Sequence, residues 1–160
     1  SLRYHLNYAT EIFSYIYNSD AGTVINNKES LLNTLQGPLA HAHSLAPDPA
    51  SVNLLYAQYY YNKGIVALES AQNIKGAKLT ADQQKQKTDF TNQGKESLKQ
   101  AAPYAEKSMN TLEAGFKKAE RSKYKSSVNL LENIYQSLGD NVKLKFYQDK
   151  YDQADAKFVN

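Results

Sequence analysis

Three histidines, a scatter of serines and aspartates, and thirteen tyrosines are the side chains of this 160-residue chain with the types needed for chemistry. His41 and His43 stand two positions apart, which on a helix turns them about 200° away from one another. They cannot grip one ion together, and His5 lies on another predicted helix. The chain has no Cys, which removes disulfides, thiolate metal sites and thiol nucleophiles. Neither an HExxH nor an EF-hand spacing occurs, so no metal and no other cofactor is expected. Ser, His and Asp are present, but none stands in a nucleophile elbow. Asp149 and Asp152, three apart, are the nearest approach to a carboxylate pair and read as a solvated face. The residues point away from an enzyme.

Tyrosine is the unusual feature, thirteen copies with no Trp. Tyr4, Tyr8 and Tyr15 share one face of a first predicted helix, distinct from its Leu2, Leu6, Ala9, Phe13, Ile16 stripe. Tyr60 and Tyr61 adjoin a core-type Tyr59. Such rings either pack helix against helix or line a ligand surface, where a phenol offers a large contact area at little cost in rotamer freedom.

Charge divides the chain. Residues 1–60 carry a balance of −2, residues 61–125 one of +6, and residues 126–160 one of −1. A basic middle raises nucleic acid as a partner. Against it, Arg3 and Arg121 are the only arginines, and the lysines are interleaved with Gln, Asp and Glu as on a solvated helix. Nucleic acid is therefore disfavoured. No apolar run approaches the ~20 residues of a membrane span.

The elements that must position these groups are helices. Apolar spacings of three and four recur along the chain, and no segment alternates with period two over a strand's length. The class is all-α. The spacing predicts helices over about 2–17, 27–46, 50–74, 80–119, 123–138 and 140–158. Asn26 with Glu29, and Thr80 with Gln83, read as capping boxes, while Asp48 then Pro49 read as N-cap and first helical residue. Gly139 and Asp140 read as a stop and a new N-cap. Tyr60, Gly64, Ala67, Ala71 and Ile74 fall on one line, whose small members let another helix approach closely. The fourth helix carries the cleanest stripe, Leu98, Ala102, Ala105, Met109, Leu112, Phe116 and Ala119, at spacings of 4, 3, 4, 3, 4 and 3. Its stretch before Lys95 is the weak part, because Thr91-Asn92-Gln93-Gly94 lowers helix propensity.

The chain also repeats itself. Ser51-Val52-Asn53-Leu54-Leu55 returns as Ser127-Val128-Asn129-Leu130-Leu131, and Tyr59 falls on Tyr135 at the same offset of 76. Gly37-Pro38-Leu39-Ala40-His41 is echoed by Ala102-Pro103-Tyr104-Ala105-Glu106. Val52, Leu55, Tyr59 and Val128, Leu131, Tyr135 follow the first-helix pattern of a tetratricopeptide repeat (TPR). Ala101-Ala102-Pro103-Tyr104-Ala105-Glu106-Lys107-Ser108 is similar to its second-helix phrase, and Leu45-Ala46-Pro47-Asp48-Pro49 to the exit from one repeat to the next. The chain resembles extracytoplasmic bacterial TPR proteins with a lengthened middle hairpin, best over about residues 48–151. It departs from them in having Val for the large first residue, and Tyr56 and Glu132 where a small residue is usual.

The resemblance implies one domain over 1–160, a helical-hairpin solenoid of about six helices in three antiparallel pairs (about 2–46, 50–119 and 123–158), the middle pair elongated. It implies an extracytoplasmic location, in periplasm or cell envelope. It also implies a non-catalytic module that binds a protein or peptide, the first helices of the pairs lining a concave face. By position that face includes Asn53, Tyr60, Tyr61, Asn129 and Asn133, to which the tyrosines Tyr4, Tyr8 and Tyr15 are added. The basic residues with which some TPRs clamp a terminal carboxylate are missing there. Two further readings remain beside it. A first helix apolar on two faces implies a cover, so the chain is alternatively a structural or homo-oligomerising segment of a larger bacterial envelope assembly. The lysines Lys75, Lys78, Lys85, Lys87 and Lys95, near the tip of the long hairpin, would make an arm toward a partner.

Overall fold

Helix ends fall largely where local side-chain chemistry puts them. The structure is a computed structural model that describes residues 2–17 and 28–160, with side chains described over 2–12 and 30–160. The proposed Asn26–Glu29 capping box and the side chains of Phe13, Tyr15 and Ile16 lie outside the described residues. Among the described residues there are six α-helices and no strand: α1 (Leu2–Tyr17), α2 (Lys28–Leu45), α3 (Ala50–Asn73), α4 (Ala81–Glu113), α5 (Arg121–Leu138) and α6 (Asn141–Lys157). One 3-10 turn, Lys118–Glu120, precedes α5. None of these helices is long and apolar enough to cross a membrane.

The Thr80 hydroxyl accepts the Gln83 backbone N–H at 3.1 Å, and the Gln83 side chain accepts the Thr80 N–H at 3.0 Å, closing the expected capping box of α4. Gly139 adopts φ +74°, a conformation that costs glycine nothing, and its N–H bonds back to the Gln136 carbonyl. The Asp140 N–H reaches the Tyr135 carbonyl at 2.9 Å, and its carboxylate accepts the Lys143 N–H at 3.0 Å. Two residues thus end α5 and begin α6. Pro38 and Pro103 both lie inside helices, α2 and α4.

Two expectations are corrected. Asp48 does not cap α3, because Pro49 takes the N-cap place at φ −56°, ψ 135°, and Asp48 instead pairs with Lys107 at 3.0 Å. The stretch before Lys95, weak in propensity, is helix as the spacing predicts, since α4 runs unbroken from Ala81. The far end of the stripe lies outside α4: the helix stops at Glu113, and Phe116 sits at φ +44°. That backbone state is strained for a side-chain-bearing residue. It is held because the half-buried ring packs edge-on against Phe158, centroids 5.2 Å apart. Ala119 is exposed in the 3-10 turn.

Contacts run from each helix to the next, with α1 also reaching α3 and α3 reaching α5. The larger core gathers Leu98, Ala101, Ala105, Met109 and Leu112 of α4 with Tyr124, Val128, Leu131 and Ile134 of α5 and Tyr147, Ala154 and Phe158. A smaller one joins Ala9, Leu32, Leu35, Leu39 and Tyr59. Between α3 and α4 the backbones nearly touch. A Cβ on Gly64 would stand 2.9 Å from the Gly94 carbonyl oxygen, and one on Gly94 would stand 2.9 Å from that of Gly64.

Candidate functional site

Two surfaces follow from this packing, and the tyrosines sort between them and the core. Three phenols are structural. On α4, Glu106 and Glu113 are seven apart, hence on one face. Tyr135 and Tyr147 both donate to Glu106 Oε1, at 3.2 and 3.0 Å, with their rings stacked at 5.6 Å. Tyr124 donates to Glu113 Oε1 at 2.7 Å, and Lys150 Nζ reaches the same oxygen at 2.7 Å. Below them Ser127 donates to the Lys123 carbonyl, so its single proton is used and Ser108 must donate across to it at 2.8 Å.

The first surface is a cluster of rings where α2, α3 and α4 meet. Tyr56 lies 4.6 Å from Tyr104 and 5.5 Å from Tyr60, while Tyr60 and Tyr104 stack with planes 7° apart at 5.9 Å. His43 closes the group, 5.3 Å from Tyr56 and 5.6 Å from Tyr104. All four side chains are half-buried, neither sealed nor free. Burial, followed by the neighbouring phenols of Tyr60 and Tyr104, pushes the Tyr56 hydroxyl up to about 12. Tyr59, Tyr61 and Tyr104 are also raised, each chiefly by burial. Tyr124, Tyr135 and Tyr147 shift the same way, by burial and by the Glu113 or Glu106 carboxylate.

A raised phenol favours the folded chain while protonated. Its contribution is therefore complete below the ordinary value of ~10 and is lost as pH rises toward the folded value. For Tyr56 that window is about 10 to about 12. Stability measured by urea unfolding is expected to fall steeply across it, with tyrosinate absorbance in the native chain lagging that of the unfolded one. Native and unfolded titration curves that coincide would contradict this packing.

The second surface is an open cleft of about 680 Å³ between α4 and the α5–α6 corner. Lys95, Lys99, Pro103 and Glu106 recur along one side of α4, and Tyr135, Leu138, Asp140 and Lys143 supply the other side. The Lys143 ammonium stands 4.8 Å over the Tyr135 ring. The tight Gly139–Asp140 corner is what brings Lys143 round to face α4.

The sequence-derived groove residues do not form one surface. Asn53 is fully buried; its Nδ2 donates to the Pro47 and Pro49 carbonyls at 2.8 and 3.0 Å, tying the loop to the first turn of α3. It cannot line a surface. Tyr60 belongs to the ring cluster, and Tyr61 is half-buried against the larger core. Tyr4 is 66% exposed and meets the His5 ring at 5.4 Å, while Tyr8 is half-buried. Tyr15 falls among the side chains outside the described residues. Asn129 is exposed beside Lys125 and Tyr151 at another depression, and Asn133 is half-buried. Lys95 lines the cleft, and Lys85 is spent on Asp89 at 2.6 Å. Sequence reasoning missed Glu106, Glu113, Lys99 and Lys143. The signal was there for the first two, as acids seven apart flanking an apolar seam that faces tyrosine-bearing helices. No group of three or more metal-ligating side chains occurs among the described residues.

Comparison with protein families, curated proteins and solved structures gives no match.

Proposed function

We propose that this chain is a non-catalytic interaction module, a TPR-like solenoid of three helical hairpins that recognises a peptide or protein surface. The succession of helix contacts supports the architecture: each helix meets the next, and first helices of successive pairs also meet, α1 with α3 and α3 with α5. The observation that carries the function is the ring cluster of His43, Tyr56, Tyr60 and Tyr104, half-open at the junction of three helices. Rings held by one another lose little freedom on binding, which favours contact surfaces built from tyrosine.

Peptides selected from a random displayed library against the folded chain are expected to bind about tenfold or more weakly to Tyr60→Ala and Tyr104→Ala proteins of unchanged helical content. Failure to enrich any peptide, or equal binding to both variants, would falsify the reading.

A second reading, a structural or oligomerising segment of a larger assembly, is favoured by one observation on α6. Val142 and Phe146, one turn apart, are 82% and 54% exposed, the kind of apolar face that partners cover. Sedimentation over a range of concentrations separates the two: self-association lost on Phe146→Ser supports assembly, and a monomer throughout supports ligand recognition.

A further inference from the structure

The cleft between α4 and the α5–α6 corner is chemically unlike the ring cluster. We propose that it holds an acidic, extended stretch of a partner polypeptide, with carboxylates at alternate positions set against Lys95 and Lys99. The proposal rests on the interaction-module reading and names a ligand class for a different face of it.

Four features carry the choice. The first is unspent charge. Lys95, Lys99 and Lys143 have no carboxylate within 4.0 Å among the described residues; other lysines share that, but these three converge on one cleft, where Lys143 also stands over the Tyr135 ring. The two carboxylates that do line the cleft each have one oxygen engaged within the chain. Glu106 Oε1 takes the Tyr135 and Tyr147 hydroxyls, and Asp140 Oδ1 takes the Lys143 N–H.

The second is spacing. Lys95 and Lys99 are four residues apart on α4, a rise of about 6 Å. Side chains two apart on an extended strand repeat at about 6.6–6.8 Å and point the same way. A strand running along α4 therefore meets the two ammonium groups with its first and third side chains, and Pro103, Ala102 and Leu138 with its fifth. The ligand pattern is acidic, any, acidic, any, apolar.

The third is a backbone acceptor. Pro103 has no N–H, so the Lys99 carbonyl lacks its helical i+4 donor at the wall of the cleft. A polypeptide brings N–H groups that can use such an acceptor, and a phosphodiester chain brings none from its backbone. The fourth is the kind of cation. Lysines line the cleft and no arginine does, an arrangement poorly suited to phosphates, which arginine forks grip best.

The test is fluorescence anisotropy with the whole chain and three labelled probes: an acetylated Glu-Ser-Glu-Ser-Leu peptide, its Gln-Ser-Gln-Ser-Leu counterpart, and an oligothymidylate of similar length. The acidic peptide is expected to bind at least about tenfold tighter than the neutral one at low salt, and the advantage should shrink as salt rises. The Lys95→Gln/Lys99→Gln double variant should lose about tenfold for the acidic peptide alone, while Lys117→Gln/Lys118→Gln, at exposed sites outside the cleft, should lose little. No binding, equal binding of both peptides, equal effects of the two lysine pairs, or tighter binding of the oligonucleotide each overturns the proposal. An acidic peptide released by Tyr60→Ala but not by the Lys95/Lys99 variant overturns the cleft and leaves the interaction module standing.

Discussion

Gly94→Val is expected to destabilise the chain by about 3 kcal/mol and lower the melting temperature by roughly 6–12 °C. On propensity alone the change should help, since glycine inside a helix costs ~1 kcal/mol relative to alanine. The neighbours decide otherwise. A Cβ at Gly94 would lie 2.7 Å from Leu68 Cγ and 2.9 Å from the Gly64 carbonyl oxygen, and Gly64 is itself backbone on the facing helix. Leu68 has a side chain that can swing, but the carbonyl cannot move without parting α3 from α4. Overpacking of this kind costs ~1–3 kcal/mol and sometimes more, and the β-branch of valine adds crowding on its own helix. Gly94→Ala should show the same sign at about 1 kcal/mol, where the propensity gain offsets part of the clash. Gly64→Ala, facing Gly94 and Leu98, should couple non-additively with it. The measurement is a thermal melt followed by circular dichroism. Unchanged or raised melting for Gly94→Ala would show that the two helices do not meet backbone to backbone.

The second large effect concerns Glu113. Its carboxylate takes both the Lys150 ammonium and the Tyr124 hydroxyl on one oxygen, with the Glu113 and Lys150 side chains 24% and 20% exposed. Burial pushes this carboxyl up, but hydrogen bonds from Lys150 and Tyr124, with the charges of Lys150 and Lys157, outweigh it and hold it below its ordinary value. Removing one partner of a fully buried pair costs ~3–5 kcal/mol, because the other charge is left uncompensated. Partial exposure reduces that figure, and Glu113→Gln is expected to cost about 2 kcal/mol near neutral pH.

The pH dependence gives the sharper check. A carboxyl depressed in the folded state contributes stability above the ordinary carboxylate value of ~4.3 and loses it as pH falls through the lower folded value. The parent and Glu113→Gln should therefore differ most near neutrality and converge in acid. Urea unfolding at several pH values reads this directly. Curves that stay parallel would mean the ion pair carries no net stability.

Much of the helical scaffold was legible in the residues because it rests on contacts within a turn or two. Thr80 with Gln83, Gly139 with Asp140, and the seam from Leu98 to Leu112 are all interactions or periods of about three to five residues, and the structure has each where the sequence placed it. Where the seam ends was not legible. Phe116 continues the spacing perfectly, yet its ring is claimed by Phe158, and a partner 42 residues away leaves no mark on local periodicity. Gly94 shows the converse: a residue that weakens a helix locally is required by the helix beside it.

The repeated phrase makes the same division visible. Val52 and Val128 are both buried, as are Tyr59 and Tyr135, because the helical period alone puts them inward. Asn53 and Asn129 hold the same place in that phrase and have opposite fates, one sealed against the Pro47–Pro49 loop, the other exposed. Composition and spacing by themselves determined that this protein is helical, where most helices begin, and which faces turn inward. The tertiary structure alone decided that Glu106 collects Tyr135 and Tyr147, that Glu113 collects Tyr124 and Lys150, and that three lysines share one cleft. The glutamates stand 11 to 41 residues from these partners, and Lys143 lies on another helix from Lys95 and Lys99, beyond the reach of a helical turn, so only the packing of one helix against another could bring them together.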